Sequence, residues 1–356
     1  MHRSRLRPLP LASALVALPL AFGCPAKKEK APEAPKAATA PKEVAKTPAG
    51  SADPLCMAAW NPAGEPKTFQ AGERAFQQTG TQVVETSHDE DAKAVLGVLA
   101  NIKEDTEDNL ANIAAALAFF KDKGADAIVV VGDLGESQSQ IENVLKPVAA
   151  TGLPVFTIIG NREKKSDYSN ALKAISAASP NVVDMNQARL VKLDDVALVS
   201  IPGYYDKAYI HAEDGCQYFP ADLSGTKAVI KAAGTSPVVL VSHGPPRQEG
   251  SEALDRTLEQ ANVGDANLSR LIEESGVKLG IFSNIQEAGG KGTDRTGQSL
   301  VKPGTPSDVL FLNPGAIDAV SWEMNDGSRS TGMAAVMTVD GGKASFDVFR
   351  VPAPAE

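Results

Sequence analysis

The residues of this chain best suited to chemistry recur in one setting. Gly132-Asp133, Gly160-Asn161, Ser242-His243-Gly244-Pro245-Pro246 and Asn313-Pro314-Gly315 each close a short apolar run, in the segments IVVVGDLG, PVFTIIGNRE, VVLVSHGPP and VLFLNPG. Apolar runs this short read as strands buried on both faces. Open α/β sheets gather their sites from polar residues just beyond the carboxyl ends of such strands. Asp133, Asn161 and His243 would offer a carboxylate, an amide oxygen and an imidazole, donors that suit a divalent cation. Taken singly, none of these signatures is specific. Gly-Asp and Asn-Pro-Gly are common turns, and a lone buried histidine is more often a hydrogen-bonded structural residue than a ligand. Their order, each after a buried-type strand, carries the weight.

In that order the set resembles the calcineurin-like metallophosphoesterases, and the resemblance runs from about Ala94 to Val351. It implies a layered α/β/β/α sandwich with two metals at the strand ends. Such a pair clamps phosphoryl oxygens and lowers the pKa of a bridging water for in-line attack. The family's pattern is Asp-x-His, then Gly-Asp, Gly-Asn-His, His and Gly-His-x-His. Here the first element falls on Asn101 and Lys103, which stand at the Asp and His positions. Asp133 matches the bridging carboxylate and Asn161 the next ligand. Arg162 replaces the histidine that assists the leaving group, and a guanidinium is no acid near neutral pH. His243 is retained, whereas the last element reads Ser283-Asn284-Ile285-Gln286. The whole sequence holds only His2, His88, His211 and His243, fewer than the pattern asks for.

By this correspondence one metal position would be left with Asn101, Lys103, Asp133 and Gln286 and is expected to be empty. The other keeps Asp133, Asn161 and His243, with Asn284 as a weak fourth ligand. The expected cofactor is therefore none, or one weakly held Mn, Zn or Fe ion. Lys103 is expected beside Asp133, its ammonium standing in for a missing metal. Arg162, with Lys103, would suit a phosphate-like or carboxylate ligand. No catalytic residue is assigned. Three functions compete: a non-catalytic binding or structural protein, a phosphohydrolase running on a single metal with His211 or Glu287 filling in, and an unrelated α/β domain whose turns mimic the motifs. His211 reads as an exposed loop histidine, and His88 as part of a solvated acidic loop.

The ends of the chain speak of location. Arg3, Arg5 and Arg7 precede an apolar stretch from about Leu9 to Phe22, which is a secretory signal and too short to span a bilayer. Cys24 follows it as in a bacterial lipobox, although an ordinary cleaved signal would have a similar start. Residues 24–54 are rich in Ala, Pro and Lys and poor in large apolar side chains, so they should form an extended tether. A tether favours lipidation of Cys24 and a lipid-anchored place in the bacterial cell envelope. Export then leaves Cys56 and Cys216 in an oxidising compartment, where they are expected to pair. The formal net charge of −9, with no basic stripe, argues against nucleic acid.

The resulting plan is a signal over 1–23, the tether over 24–54, an N-terminal extension over 55–92 and the phosphoesterase-like domain over 93–353. Within that domain the apolar runs predict strands at Ala94–Leu99, Ala127–Val131, Val155–Ile159, Leu190–Leu193, Val196–Ile201, Val238–Val241, Leu279–Phe282 and Val309–Leu312. Helical periodicity places Leu110, Ile113, Leu117 and Phe120 on one face after an N-cap at Thr106, with a stop at Gly124. A second helix carries Ile141, Val144, Leu145 and Val148, with a bend or end at Pro147. A third is expected around Ser166–Ala178 and another over Leu268–Glu274, capped by Asp265. Gly203–Ser224 reads as an irregular loop over the site. The C-terminus alternates and turns at Asp340-Gly341-Gly342, a β-hairpin signal. The extension could add an edge strand.

Overall fold

The computed structural model describes residues 50–87, 91–193 and 195–352. The signal, Cys24, nearly all of the tether and His88 lie outside the described residues.

Strict alternation along the central strands builds two faces at once. Leu96, Val98 and Ala100 join one apolar cluster, while Val95 and Leu99 join another. Ala127, Val129 and Val131 likewise part from Ile128 and Val130. The first set fills the space between two sheets, where it meets Val196, Leu198, Val239 and Ile281. The second set packs under helices α1 (Glu107–Asp122), α2 (Gln138–Ala149) and α3 (Lys165–Ala178) through Ile113, Ile141 and Leu172. Helices α4 (Pro220–Ala232) and α5 (Ala266–Ser275) cover the other sheet through Leu223, Val229 and Leu268. The outcome is the expected α/β/β/α sandwich.

One sheet has six strands, in the order Lys343–Arg350, Met333–Asp340, Lys93–Leu99, Ala127–Val131, Val155–Ile158 and Val182–Asp184. Its last four strands run parallel, and the C-terminal hairpin pairs antiparallel with Lys93–Leu99. Asp340 pairs with Lys343 across Gly341 and Gly342, both with positive φ, as a tight two-residue hairpin turn demands. The ten-stranded sheet has a parallel centre of Val196–Ile201, Val238–Ser242, Leu279–Phe282 and Leu310–Asn313.

The extension contributes three strands rather than one at the edge: Lys67–Ala71, Arg74–Thr79 and Gln82–Glu85 continue the ten-stranded sheet, the last pairing with Leu190–Leu193. At the end of the expected tether, the Ala52 N–H already donates to Asp222, and Asp53 pairs with Lys165. Cys56 and Cys216 form the expected disulfide across a sequence separation of 160, their Cα atoms 5.3 Å apart.

Two local expectations need correction. Gly203–Ser224 is not irregular throughout, because α4 starts at Pro220, a residue pre-set for the first helical turn, and the Asp222 carboxylate accepts from the Phe219 N–H. The helix α2 also passes through Pro147 and ends two residues later at Ala149, so the proline sits in its last turn.

Candidate functional site

The carboxyl ends of the parallel strands in the two sheets meet along one edge, and glycines set how closely. A Cβ on Gly132 would lie 2.6 Å from the Gly160 Cα and 2.7 Å from His243 Nδ1; one on Gly160 would lie 2.3 Å from Asp133 Oδ1. Gly-Asp and Gly-Asn are thus required by close approach, which lets the first sheet's turns touch a histidine from the second.

Five described residues other than glycine have positive φ, and four of them are residues the motifs had singled out at this edge: Asn101, Lys103, Asp133 and Asn284. A left-handed conformation costs a non-glycine residue roughly 1–2 kcal/mol, least for Asn and Asp. Strain gathered in this way marks a built site. The turns are fastened to one another: the amides of Ile102 and Lys103 both donate to the Asp133 carbonyl, at 2.8 and 2.7 Å.

Asp133, Asn161 and His243 converge as expected. Asp133 Oδ1 accepts the backbone N–H groups of Asn161 and Arg162 at 3.1 and 3.2 Å. His243 Nδ1 lies 2.8 Å from the Val131 carbonyl, so Nδ1 is the donor and Nε2 is the nitrogen turned to the site. Nε2 is 3.0 Å from Asn161 Oδ1 and 3.3 Å from Asp133 Oδ1. The Asn161 amide nitrogen is committed to the Tyr209 carbonyl at 2.7 Å, which fixes its oxygen toward His243. Two oxygen acceptors therefore crowd one imidazole nitrogen, an arrangement that suits one shared cation. Asn161 is essential to that set, since among the described residues no group of three or more His, Cys, Asp or Glu side chains could hold a metal.

The remaining candidates are drawn elsewhere. Lys103 is not paired with Asp133. Its ammonium donates to Asp318 Oδ2 at 2.8 Å and to Gln286 Oε1 at 3.0 Å, and it lies 4.2 Å from the centroid of Trp322. Asn101 Oδ1 accepts from the Ser283 hydroxyl at 3.4 Å, while its amide nitrogen is buried without a partner. By the correspondence with the family's pattern the Lys103 ammonium would stand at the first metal position, and a resident cation there does not fit a metal. Asn284 donates its side-chain amide to the Tyr204 hydroxyl at 3.0 Å. Arg162 is bonded to Glu136, so neither cation expected to receive an anion stands alone. His211 is exposed and brings only its backbone N–H, which donates to the Asn161 carbonyl at 2.9 Å. Glu287 accepts from the Leu258 N–H of a neighbouring loop at 3.4 Å.

Sequence reasoning missed Glu163, Asp318, Trp322 and Tyr204. Glu163 is fully buried and accepts the Leu134 N–H at 2.6 Å and the Gly160 N–H at 3.0 Å, strapping the Asp133 turn to the Asn161 turn. Burial first, and the neighbouring Asp133 carboxylate second, push its carboxyl up to about 8. Its place directly after Gly-Asn-Arg was the available signal. Tyr204 lies over His243 with ring centroids 6.3 Å apart, and no sequence motif marked it.

The family model for calcineurin-like phosphoesterases matches residues 88–283. The chain belongs to the calcineurin-like phosphoesterase family. One solved structure superposes with a TM-score of 0.54 at 13% identity, covering 72% of this chain and 99% of its own. A Thermus thermophilus protein gives a TM-score of 0.50 at 12% identity, covering 71% of this chain and 98% of its own. A dimetal phosphatase from Danio rerio gives 0.44 at 11% identity, over 72% of this chain and 98% of its own. At such identities the likeness to the first two speaks to the fold alone. No curated protein matches the chain in sequence.

Proposed function

We propose that this chain is a non-catalytic member of its family, exported and held at a bacterial cell envelope by a lipid on Cys24, with its phosphoesterase scaffold used for binding or support. The observation that carries this reading is the closure of the site. Asp133 and Asn161 are each 3% exposed, His243 is 0% exposed, and Tyr204 at 2% covers the imidazole. Side chains so withdrawn from solvent support a reading in which the site does not meet a phosphate ester. The exchange of the leaving-group acid for Arg162, tied to Glu136, supports the same reading. The Cys56–Cys216 disulfide supports export, because such bonds persist in oxidising compartments.

A second reading, a single-metal phosphohydrolase, is favoured by one feature. His243 Nε2 lies 3.0 Å from Asn161 Oδ1 and 3.3 Å from Asp133 Oδ1, so three side chains of ligand type converge. These residues would hold one divalent cation, which when bound supplies Lewis acidity. The deciding experiment is hydrolysis of p-nitrophenyl phosphate and bis(p-nitrophenyl) phosphate by the full chain in Mn²⁺, with Asp133→Ala alongside. Equal, background rates for both proteins are expected. Mn²⁺-dependent turnover lost in Asp133→Ala would overturn the non-catalytic reading. Release of a Cys24→Ser variant from the membrane fraction would test the anchor, and retention would refute it.

A further inference from the structure

We propose that the Lys103 ammonium is a resident cation that takes the place of one metal of the family's pair and pins together three loops a metal would otherwise cross-link. Lys103 stands at a metal-ligand position of the family's pattern, and its role holds whether or not the neighbouring half of the site turns over a substrate.

The three loops come from three strands and both sheets. Lys103 follows Lys93–Leu99, Gln286 follows Leu279–Phe282, and Asp318 follows Leu310–Asn313. They join at one nitrogen, across a sequence separation of 215 between Lys103 and Asp318. The side chains of Lys103 and Asp318 are 10% and 5% exposed, so the pair is removed from water. An ammonium has three hydrogens to place. Two go to Asp318 Oδ2 and Gln286 Oε1, and the charge rests against the Trp322 ring, a face that favours a cation. Asp318 is itself aimed, because its Oδ1 accepts the Val320 N–H at 3.1 Å and its Oδ2 takes the Trp322 indole N–H at 3.4 Å.

The acceptor count also matches an ammonium rather than a dication. One carboxylate oxygen of Asp318 and one amide oxygen of Gln286 balance a single positive charge. Lys103 adopts φ 67 to reach this place, although lysine gains nothing locally from a left-handed conformation.

The test is thermal unfolding of the full chain in EDTA and in Mn²⁺, for wild type, Lys103→Ala and Lys103→Ala/Asp318→Asn. Removing the ammonium leaves a buried carboxylate unpaired, so Lys103→Ala should lower Tm by roughly 5–15 °C in EDTA. Mn²⁺ should restore at least half of that loss, beyond any effect on wild type, by entering the vacated place beside Asp318. The double variant, lacking the carboxylate, should show no such restoration. An ordinary ion pair would give the loss without the metal response. A Tm for Lys103→Ala within about 2 °C of wild type, or a loss that Mn²⁺ leaves untouched, would overturn the proposal. If the alanine variant does not fold, Lys103→Gly, which vacates the same place and suits the positive φ of this position, carries the same comparison. Hydrolysis by wild type would sink the non-catalytic reading and leave this pattern of Tm values intact.

Discussion

Tyr204 and His243 pack edge to face, their ring centroids 6.3 Å apart and their planes inclined at 67°. The contact depends on Gly244, where a Cβ would lie 2.7 Å from the tyrosine ring. The tyrosine is held from its far end as well, since its hydroxyl accepts from Asn284. This cover makes the site's access measurable. Diethyl pyrocarbonate should modify the exposed His211 and spare His243 in the native protein, read by peptide mass spectrometry. Tyr204→Ala or Gly244→Ala should bring His243 into reaction. Equal reactivity of His243 in wild type and Tyr204→Ala would show that the tyrosine does not close the site.

Glu163 ties pH to stability. Its carboxyl is raised from an ordinary 4.5 to about 8 in the fold, chiefly by burial. Between those values the folded protein holds a proton that the unfolded chain has released, so stability falls as pH rises. The contribution is full below 4.5 and lost as pH climbs through about 8. Glu163→Gln, which keeps a neutral group of the same shape, should flatten the dependence of the unfolding midpoint on pH across that window, measured in a chelator. Parallel profiles for the two proteins would contradict this assignment.

The disulfide fastens the segment that carries the cover. Cys216 follows the loop that supplies Tyr204, Tyr209 and His211, and Tyr204 donates its N–H to the Cys216 carbonyl at 3.0 Å. Closing a loop across a separation of 160 residues contributes about 5 kcal/mol in the chain-entropy model. Cys56→Ser/Cys216→Ser should therefore lower the free energy of unfolding by up to about that amount, read from urea titration. It should also raise the reactivity of His243. A double variant as stable as wild type would mean that packing of Cys56 and Cys216 alone suffices.

The convergence of Asp133, Asn161 and His243 was legible because each follows a strand of the type buried on both faces, and parallel strands bring their carboxyl ends to one edge. The partner of Lys103 was not. Asp318 sits five residues past Asn313, in a loop with no periodicity, and nothing local links it to a lysine 215 positions earlier. The helix α4 was hidden for a different reason: Gly225 lies in its middle and an aromatic stretch precedes it, so propensity spoke for a loop. Leu223 and Val229, packed on the ten-stranded sheet, outweigh that preference. The cover over His243 was foreseen only as a loop over the site, because which aromatic lands on the imidazole depends on the space left at Gly244.

The most direct test of the resident-cation account is Mn²⁺ titration calorimetry on the wild-type full chain, with elemental analysis of the protein as purified and Asp133→Ala as control. With Lys103 in one metal position, the expected stoichiometry is at most one Mn²⁺ per chain, weakly held and lost in Asp133→Ala. Two Mn²⁺ ions per chain would mean that the ammonium gives way to a metal, and would contradict the account.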